Sequence, residues 1–141
     1  MRLDKILYTA HATSTGGRTG SSRTPDGALK VELSTPRELG GTGGPGTNPE
    51  QLFAAGYSAC FLSAMKAVAG KMKLALPADA AVTADVSIGP ITGGYGLQVA
   101  LQVQVPGWTK EQTETLVNAA HRVCPYSNAT RGNIDVALKV A

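Results

Sequence analysis

The stretch 48–70 constrains the fold more than any other part of the sequence, because it predicts one long helix that is apolar on nearly every side. Asn48 is a good N-cap, Pro49 fits the first helical position, and Gln51 completes a capping box with Asn48. Gly70 fits the end of the helix. A helix without a polar side must be covered by other elements, so we expect it at the centre of the fold.

The two sides of this helix differ in the size of their side chains. One side carries residues at i, i+4, i+7 spacing: Phe53, Tyr57, Cys60, Ala64 and Ala67. The opposite side is formed mostly of small residues: Leu52, Ala55, Gly56, Ala59 and Ser63. Because the distance between packed helices depends on the side chains at their contact, the small side permits a second helix to come close.

Alternation of apolar and polar residues predicts strands before and after the helix, at 6–11, 29–33, 82–88, 97–105 and 134–140. The glycine-rich segment 89–96 is expected to join two of them as a long hairpin loop. Thr109 and Gln112 form a second capping box, which opens a helix that runs to Cys124 and stops at Pro125. This order of elements predicts an α+β fold with antiparallel sheet in a single domain, residues 1–141.

Composition and charge exclude several classes of function. The net charge is +3 with scattered lysines and arginines, and only 5% of residues are aromatic, so we expect no nucleic-acid-binding face. Ser63 and Lys66 interrupt the most apolar stretch, so we expect no membrane span. The loop 40–46 fits a dinucleotide-binding spacing, but Pro45 interrupts its turn and no acidic residue follows about 20 positions later.

The histidines do not indicate a site. His11 and His121 belong to no recognisable catalytic triad or metal cluster, and we expect no metal site. His121 stands next to Arg122 on the second helix, which favours a surface position.

The two cysteines, Cys60 and Cys124, are the strongest candidates for chemistry. They are 64 positions apart, and each lies on the inward face of a predicted helix. Three possibilities remain open from the residues alone: inert core thiols, a single disulfide, or a redox-active pair. The N-terminus carries no secretory signal, so we expect a cytoplasmic protein, in which a disulfide is more often catalytic than structural.

Two long motifs resemble the signature stretches of the organic hydroperoxide resistance (Ohr) family, part of the wider OsmC-like superfamily. The first is Asn-Pro-Glu-Gln-Leu-Phe-Ala-Ala-Gly-Tyr-Ser-Ala-Cys-Phe at 48–61. The second is Cys-Pro-Tyr-Ser-Asn-Ala-Thr-Arg-Gly-Asn-Ile at 124–134. The similarity runs over essentially the whole chain, including Gly-Gly-Arg-Thr-Gly at 16–20, and Tyr57 favours the Ohr branch over the OsmC branch.

The resemblance implies a thiol-dependent peroxidase that reduces organic and fatty-acid hydroperoxides to alcohols. By it, Cys60 is the peroxidatic thiol, Cys124 is the resolving thiol that forms a disulfide with it, and Arg18 and Glu50 activate Cys60. It also implies an intertwined homodimer, with active sites at the subunit interface and antiparallel sheets around long central helices. No bound metal or organic cofactor is implied, and the reductant is dihydrolipoamide on lipoylated proteins rather than thioredoxin.

Elementary chemistry refines the role of Arg18. Cys60 lies ten residues after Glu50, too far into its helix for the helix dipole to act, and burial raises the pKa of a thiol. A cation must offset the burial, and Arg18 suits this because a guanidinium stays protonated when desolvated. A thiol with a pKa of about 8.5 is already partly ionised near neutral pH, so complete ionisation raises the rate only by roughly a few tens-fold. Arg18 must therefore also stabilise charge on the peroxide oxygens.

Geometry predicts where Glu50 comes from. Ten residues of helix span about 15 Å, so one straight helix cannot bring Glu50 and Cys60 of the same chain into one site. We therefore expect Glu50 and Arg18 to come from the partner subunit.

Aromatic residues near the thiols are candidates for a substrate pocket, although core packing explains them equally well: Phe53, Tyr57, Phe61 and Tyr126. Two interpretations from other classes fit the same residues. The chain is then either a non-catalytic small-ligand-binding dimer with two buried thiols or a thiol-based redox sensor.

Overall fold

The chain forms two compact units, residues 1–49 and 50–141, in the computed structural model, which describes residues 1–141. The first unit contains an antiparallel sheet in the order β1-β2-β3, formed by Thr13–Thr15, Ser21–Arg23 and Lys30–Glu32. Short 3-10 helices lie at Gly17–Thr19 and Arg37–Leu39. Strand β3 lies within the strand predicted at 29–33.

The strand predicted at 6–11 is absent, and this prediction was wrong for the single chain. Residues 1–12 contain neither helix nor strand, and their large apolar side chains are 69–94% exposed: Met1, Leu3, Ile6, Leu7 and Tyr8. Alternation places apolar side chains on one face, but a strand also needs a neighbour for its backbone N–H and C=O groups. No strand of the same chain pairs with this segment.

The rest of the chain is built on a helix of 23 residues. Its elements in chain order are α1 (Pro49–Lys71), β4 (Ala81–Ile91), β5 (Gly94–Gln104), α2 (Lys110–Val123), α3 (Pro125–Thr130) and β6 (Val136–Val140). Helix α1 begins and ends within one residue of its predicted bounds. The capping box of α2 is confirmed, because the Thr109 hydroxyl accepts from the Gln112 N–H at 3.1 Å and the Gln112 side chain accepts from the Thr109 N–H at 3.0 Å.

The second sheet has the order β4-β5-β6 and departs from the prediction in two ways. Strands β4 and β5 pair along their whole length, so only Thr92 and Gly93 form the turn, and the long loop predicted at 89–96 was wrong. Gly93 has a φ of +83°, which two-residue hairpin turns favour. Strand β6 runs parallel to β5, because α2 and α3 intervene between them as a crossover. The α+β class is confirmed, whereas this one pair is not antiparallel.

One apolar core joins α1, β5 and α2. Its large, completely buried side chains are Tyr57, Phe61, Met65, Leu101, Val103, Leu116 and Val117. Burying one such aliphatic side chain contributes about 1.5–3 kcal/mol. Small residues of α1 are exposed in the single chain: Ala55, Ala59 and Ser63 on the small-residue side, and Ala67 at the edge of the side that carries Cys60. We expected α1 to be buried on nearly every side, but within one chain only one side of the helix is buried.

Helix α1 is long and apolar enough to cross a membrane by length and composition alone, with a mean hydropathy of 1.4, despite Ser63 and Lys66. One such helix is weak evidence, because core helices pass the same test. Tyr57, Phe61 and Met65 belong to the core that includes β5 and α2. We therefore interpret α1 as a core helix.

Candidate active site

The fold brings the two thiols together although they are 64 positions apart in the sequence. Cys60 lies on α1 and is partly buried, whereas Cys124 is completely buried at the junction of α2 and α3. The two side chains interact through a hydrogen bond, and both are free thiols. A disulfide between them would require their Cα atoms to lie within roughly 4.4–6.8 Å.

Cys124 owes its position to a break between two helices. It is the last cap of α2 and the first cap of α3, with an extended backbone at ψ 124°. Its N–H donates to the Ala120 carbonyl and its carbonyl accepts from the Asn128 N–H, each at 2.9 Å. Pro125 ends α2, as predicted, but it also occupies the first turn of α3, a helix that the sequence analysis missed.

The surroundings of Cys60 hold its thiol in the neutral form. Burial is the largest cause and raises the pKa of Cys60, and Cys124 raises it further through its charge and its hydrogen bond. A hydrogen bond from the Tyr126 N–H lowers this pKa but does not reverse the balance. On balance, the groups that act on this thiol therefore raise its pKa.

A buried hydrogen-bonded network lies next to the thiols. The hydroxyl groups of Tyr57 and Ser127 are 2.8 Å apart, Tyr57 and Thr130 are 3.2 Å apart, and His121 Nδ1 lies 2.8 Å from Ser127 Oγ. The expected surface position of His121 was only partly right, since its ring reaches a completely buried hydroxyl. Burial, then the charge of Arg131, lowers the pKa of His121, so its ring is neutral near pH 7.

The four predicted pocket residues fall into two groups. Phe53 and Tyr126 line a cavity of about 840 Å³, whereas Tyr57 and Phe61 are completely buried in the core. The rings of Phe53 and Tyr126 meet edge-on with centroids 6.0 Å apart. A Cβ atom on Gly56 would stand 2.5 Å from the Tyr126 hydroxyl, so a larger residue at this position would require the tyrosine ring to shift.

A second cavity gives access to Cys60. Its volume is about 350 Å³, and its walls are formed mainly by apolar atoms of Cys60, Ala64, Val68, Val123 and Pro125. The side chain of Lys71 also lines it. An apolar molecule with a small polar head fits these walls.

The polar pair predicted to activate Cys60 comes from the two different units of the chain. Glu50 is in the first turn of α1, and the unbroken helix from Pro49 to Lys71 keeps it ten residues from Cys60. Arg18 lies in the 3-10 helix Gly17–Thr19 of the first unit, where its carbonyl accepts from the Thr35 hydroxyl at 3.5 Å. The roles of both residues stay predictions. No group of three or more His, Cys, Asp or Glu side chains is arranged to hold a metal ion.

The chain is similar to known proteins over nearly its whole length. A family model described as OsmC-like protein matches residues 41–139. The organic hydroperoxide resistance protein of Xanthomonas axonopodis pv. citri is 62% identical over 138 residues, which cover 98% of this chain and 97% of that protein.

Two solved structures are similar over nearly their whole length. The organic hydroperoxide resistance protein OsmC of Legionella pneumophila is 51% identical with a TM-score of 0.91, and the match covers 97% of this chain and 99% of that one. An organic hydroperoxide resistance protein of Vibrio cholerae, with captopril bound in one of the active sites, is 49% identical with a TM-score of 0.91. That match covers 99% of this chain and 95% of the other.

Proposed function

The chain belongs to the OsmC-like family, in its organic hydroperoxide resistance branch, and from this premise we propose how it works as a cysteine-based peroxidase. Membership makes it a peroxidase-type enzyme that acts on organic hydroperoxides. One observation carries the proposed mechanism: the partly buried thiol of Cys60 is in contact with the completely buried thiol of Cys124. The outer thiol meets the hydroperoxide, and the inner thiol resolves the oxidised sulfur.

Three steps form the cycle. The Cys60 thiolate attacks the terminal oxygen of the hydroperoxide, the O–O bond breaks, and the leaving alkoxide takes a proton to become the alcohol. Cys124 then attacks the sulfur of the Cys60 sulfenic acid, which forms the disulfide and releases water. Dihydrolipoamide on a lipoylated protein reduces the disulfide by exchange and becomes lipoamide. The protein holds no metal or organic cofactor in this cycle.

Arg18 and Glu50 of the partner subunit supply the missing activation in this proposal. The groups of residues 50–141 leave the pKa of Cys60 raised, so a cation from elsewhere is needed. A guanidinium stabilises both the thiolate and the charge that develops on the peroxide oxygens, and the Glu50 carboxylate orients it. Glu50 of the same chain is about 15 Å along the helix from Cys60, which favours the partner as its source.

Two exposed features support a homodimer. The small residues of α1 form an exposed stripe at four-residue spacing: Ala55, Ala59, Ser63 and Ala67. Small side chains let two helices approach closely, so a second copy of α1 fits against this stripe. The apolar side chains of residues 1–12 are also exposed in the single chain, and strand pairing with a partner would give that segment the hydrogen bonds that it lacks.

A complementation experiment tests the shared site. Cys60→Ser and Arg18→Ala subunits are co-expressed with different tags, and the mixed dimer is purified by both tags in sequence. If Arg18 acts across the interface, one of the two sites in the mixed dimer is intact, and hydroperoxide reduction returns to about half the wild-type rate per dimer. Each variant alone is nearly inactive. A mixed dimer without activity would place Arg18 and Cys60 of one site in the same chain.

The cavities suggest what reaches the thiols. The cavity lined by Phe53 and Tyr126 has room for an alkyl or acyl chain, which fits an organic or fatty-acid hydroperoxide. Captopril is a small thiol, and its presence in an active site of the Vibrio cholerae protein supports entry of a thiol reductant. We accordingly propose lipoylated proteins of the cytoplasm as the electron donors.

The proposed cycle is tested with tert-butyl hydroperoxide and the reduced protein. Mass spectrometry is expected to find an intramolecular Cys60–Cys124 disulfide after one equivalent of oxidant. In a coupled assay, dihydrolipoamide with its dehydrogenase is expected to sustain turnover, whereas thioredoxin with its reductase is not. Thiols that stay unreacted would instead favour a non-catalytic binding protein, and turnover with thioredoxin alone would overturn the proposed reductant.

A further inference from the structure

Three hydrogen-bonded side chains surround the thiol pair at regular distances along the chain. Tyr57 lies three residues before Cys60 on α1, His121 lies three residues before Cys124 on α2, and Ser127 lies three residues after Cys124 on α3. One turn of helix therefore separates each of these residues from a thiol. Ser127 is bonded to both of the others, at 2.8 Å each, so the network ties together all three helices that carry the thiols.

The hydrogen atoms of the network can be assigned in one continuous direction. Thr130 Oγ1 donates to the Tyr126 carbonyl at 3.0 Å, so this oxygen can accept from the Tyr57 hydroxyl. The Tyr57 oxygen then accepts from Ser127, and Ser127 accepts from a proton on Nδ1 of His121. Every hydroxyl uses its single proton once, and no buried polar side-chain atom is left without a partner.

The Thr130 end of the network reaches Tyr126, which contacts the sulfur of Cys60. Thr130 fixes the carbonyl of Tyr126, and the N–H of the same residue is bonded to Cys60. At the other end, Arg131 donates a hydrogen bond to the His121 carbonyl, which ties the end of α3 back to α2. The junction between α2 and α3, where Cys124 lies, is therefore fixed by hydrogen bonds on both sides.

We propose that Tyr57, Ser127 and His121 are positioning residues that hold Cys124 against Cys60, so that the sulfenic acid is resolved before a second hydroperoxide reaches it. The inference rests on the proposed peroxidase cycle. Tyr57 and Ser127 are completely buried, so neither meets the substrate. Their effect falls on the second step, in which the buried thiol must reach the oxidised sulfur.

Competition between two reactions makes this role measurable. Resolution by Cys124 is intramolecular and independent of hydroperoxide concentration, whereas oxidation of the sulfenic acid to sulfinic acid consumes a second hydroperoxide. The ratio of sulfinic acid to disulfide after one exposure therefore rises with hydroperoxide concentration. Folded protein is isolated before the exposure, so that unfolded chains contribute to neither product.

Variants that remove single groups test the proposal. Tyr57→Phe and Ser127→Ala each delete one hydroxyl, and each is expected to raise the ratio of sulfinic acid to disulfide at least about tenfold, the usual effect of one lost buried hydrogen bond. The rate of alcohol formation in the first turnover is expected to change less than about threefold, because the network does not contact the hydroperoxide. Both quantities are read from quenched samples by mass spectrometry and alcohol analysis.

Control variants separate positioning from general loss of packing. Thr115→Ala removes one exposed hydroxyl from α2, whose hydrogen bond to the Glu111 carbonyl lies outside the network, and is expected to leave the ratio unchanged. His121→Leu is expected to raise the ratio, and His121→Asn, whose amide can replace the Nδ1 donor, is expected to restore it in part. His121 is only partly buried, so this pair stays usable even if the Tyr57 and Ser127 variants fold poorly.

The possible failures are distinguishable. If the wild-type protein forms a disulfide with hydroperoxide but the network variants show the wild-type ratio, the positioning role is wrong and the peroxidase cycle stands. If the wild-type protein forms no disulfide, the cycle itself fails and the inference fails with it. Equal increases in Thr115→Ala and Ser127→Ala would show only a general effect of removing a hydroxyl group and would also overturn the proposal.

Discussion

Replacement of Cys60 by serine is expected to abolish hydroperoxide reduction, with a loss of at least about a thousandfold, the scale seen when an enzyme loses its nucleophile. A serine hydroxyl at this position cannot form a sulfenic acid, so neither the alcohol nor the disulfide is produced. The change is nearly isosteric and Cys60 is only partly buried, so the melting temperature should shift little. Alcohol formation from tert-butyl hydroperoxide measures the effect.

The control for this variant is Cys124 itself. In the Cys60→Ser protein, Cys124 should stay a free thiol after exposure to hydroperoxide, because it is completely buried. Full activity in Cys60→Ser would show that another group attacks the hydroperoxide, and oxidation of Cys124 in that variant would assign the attack to the inner thiol.

Replacement of Cys124 by serine is expected to leave the first step intact and stop the second. One equivalent of alcohol should form at close to the wild-type rate, after which steady turnover with dihydrolipoamide should fall by at least about a hundredfold. Cys60 then remains as a sulfenic acid, which a dimedone-type reagent traps, and excess hydroperoxide converts it to sulfinic acid. Rapid-quench measurement of alcohol together with mass spectrometry of the Cys60 peptide follows both events.

The matched control is Cys124→Ala, which removes the thiol without burying a new hydroxyl. Serine at this completely buried position places a more strongly polar group in the core, whereas alanine leaves only a small cavity. Both variants should nevertheless show the same single turnover. Multiple turnovers in either would mean that the reductant attacks the sulfenic acid directly and that Cys124 is dispensable.

Local signals in the sequence were enough to predict the main elements of the fold. Thr109 with Gln112 defines the start of α2 through hydrogen bonds within one turn, and α1 begins at Pro49, the predicted first helical position. The alternation that predicted β4 and β5 is equally local. These predictions required no knowledge of distant neighbours.

The errors concern features that depend on distant partners. Residues 6–11 alternate like a strand, but pairing needs a second strand that the chain does not provide. The direction of β6 depends on the path of α2 and α3, which its own residues do not encode. In the segment 89–96, the glycines predict a loop, but Gly89 and Gly96 pair across the sheet.

The site was predicted in part for similar reasons. Helical spacing placed both cysteines on inward faces, and the thiols do meet. Helix α3 escaped prediction because it has only six residues, and with it the buried hydroxyl of Ser127. Pro125 in the first helical turn was the available signal. Arg18 lies in the other unit of the chain, so its contribution to the site stays a prediction.

The close approach of Gly56 to Tyr126 sets a limit on how this protein can be stabilised. Glycine inside a helix costs about 1 kcal/mol relative to alanine, so exchanging it is a standard route to higher thermostability. At this position the added methyl group would meet the tyrosine hydroxyl at 2.5 Å and push the ring toward the cavity. Gly56 therefore lowers the stability of the helix, but it leaves room for the Tyr126 ring, which forms one wall of the cavity.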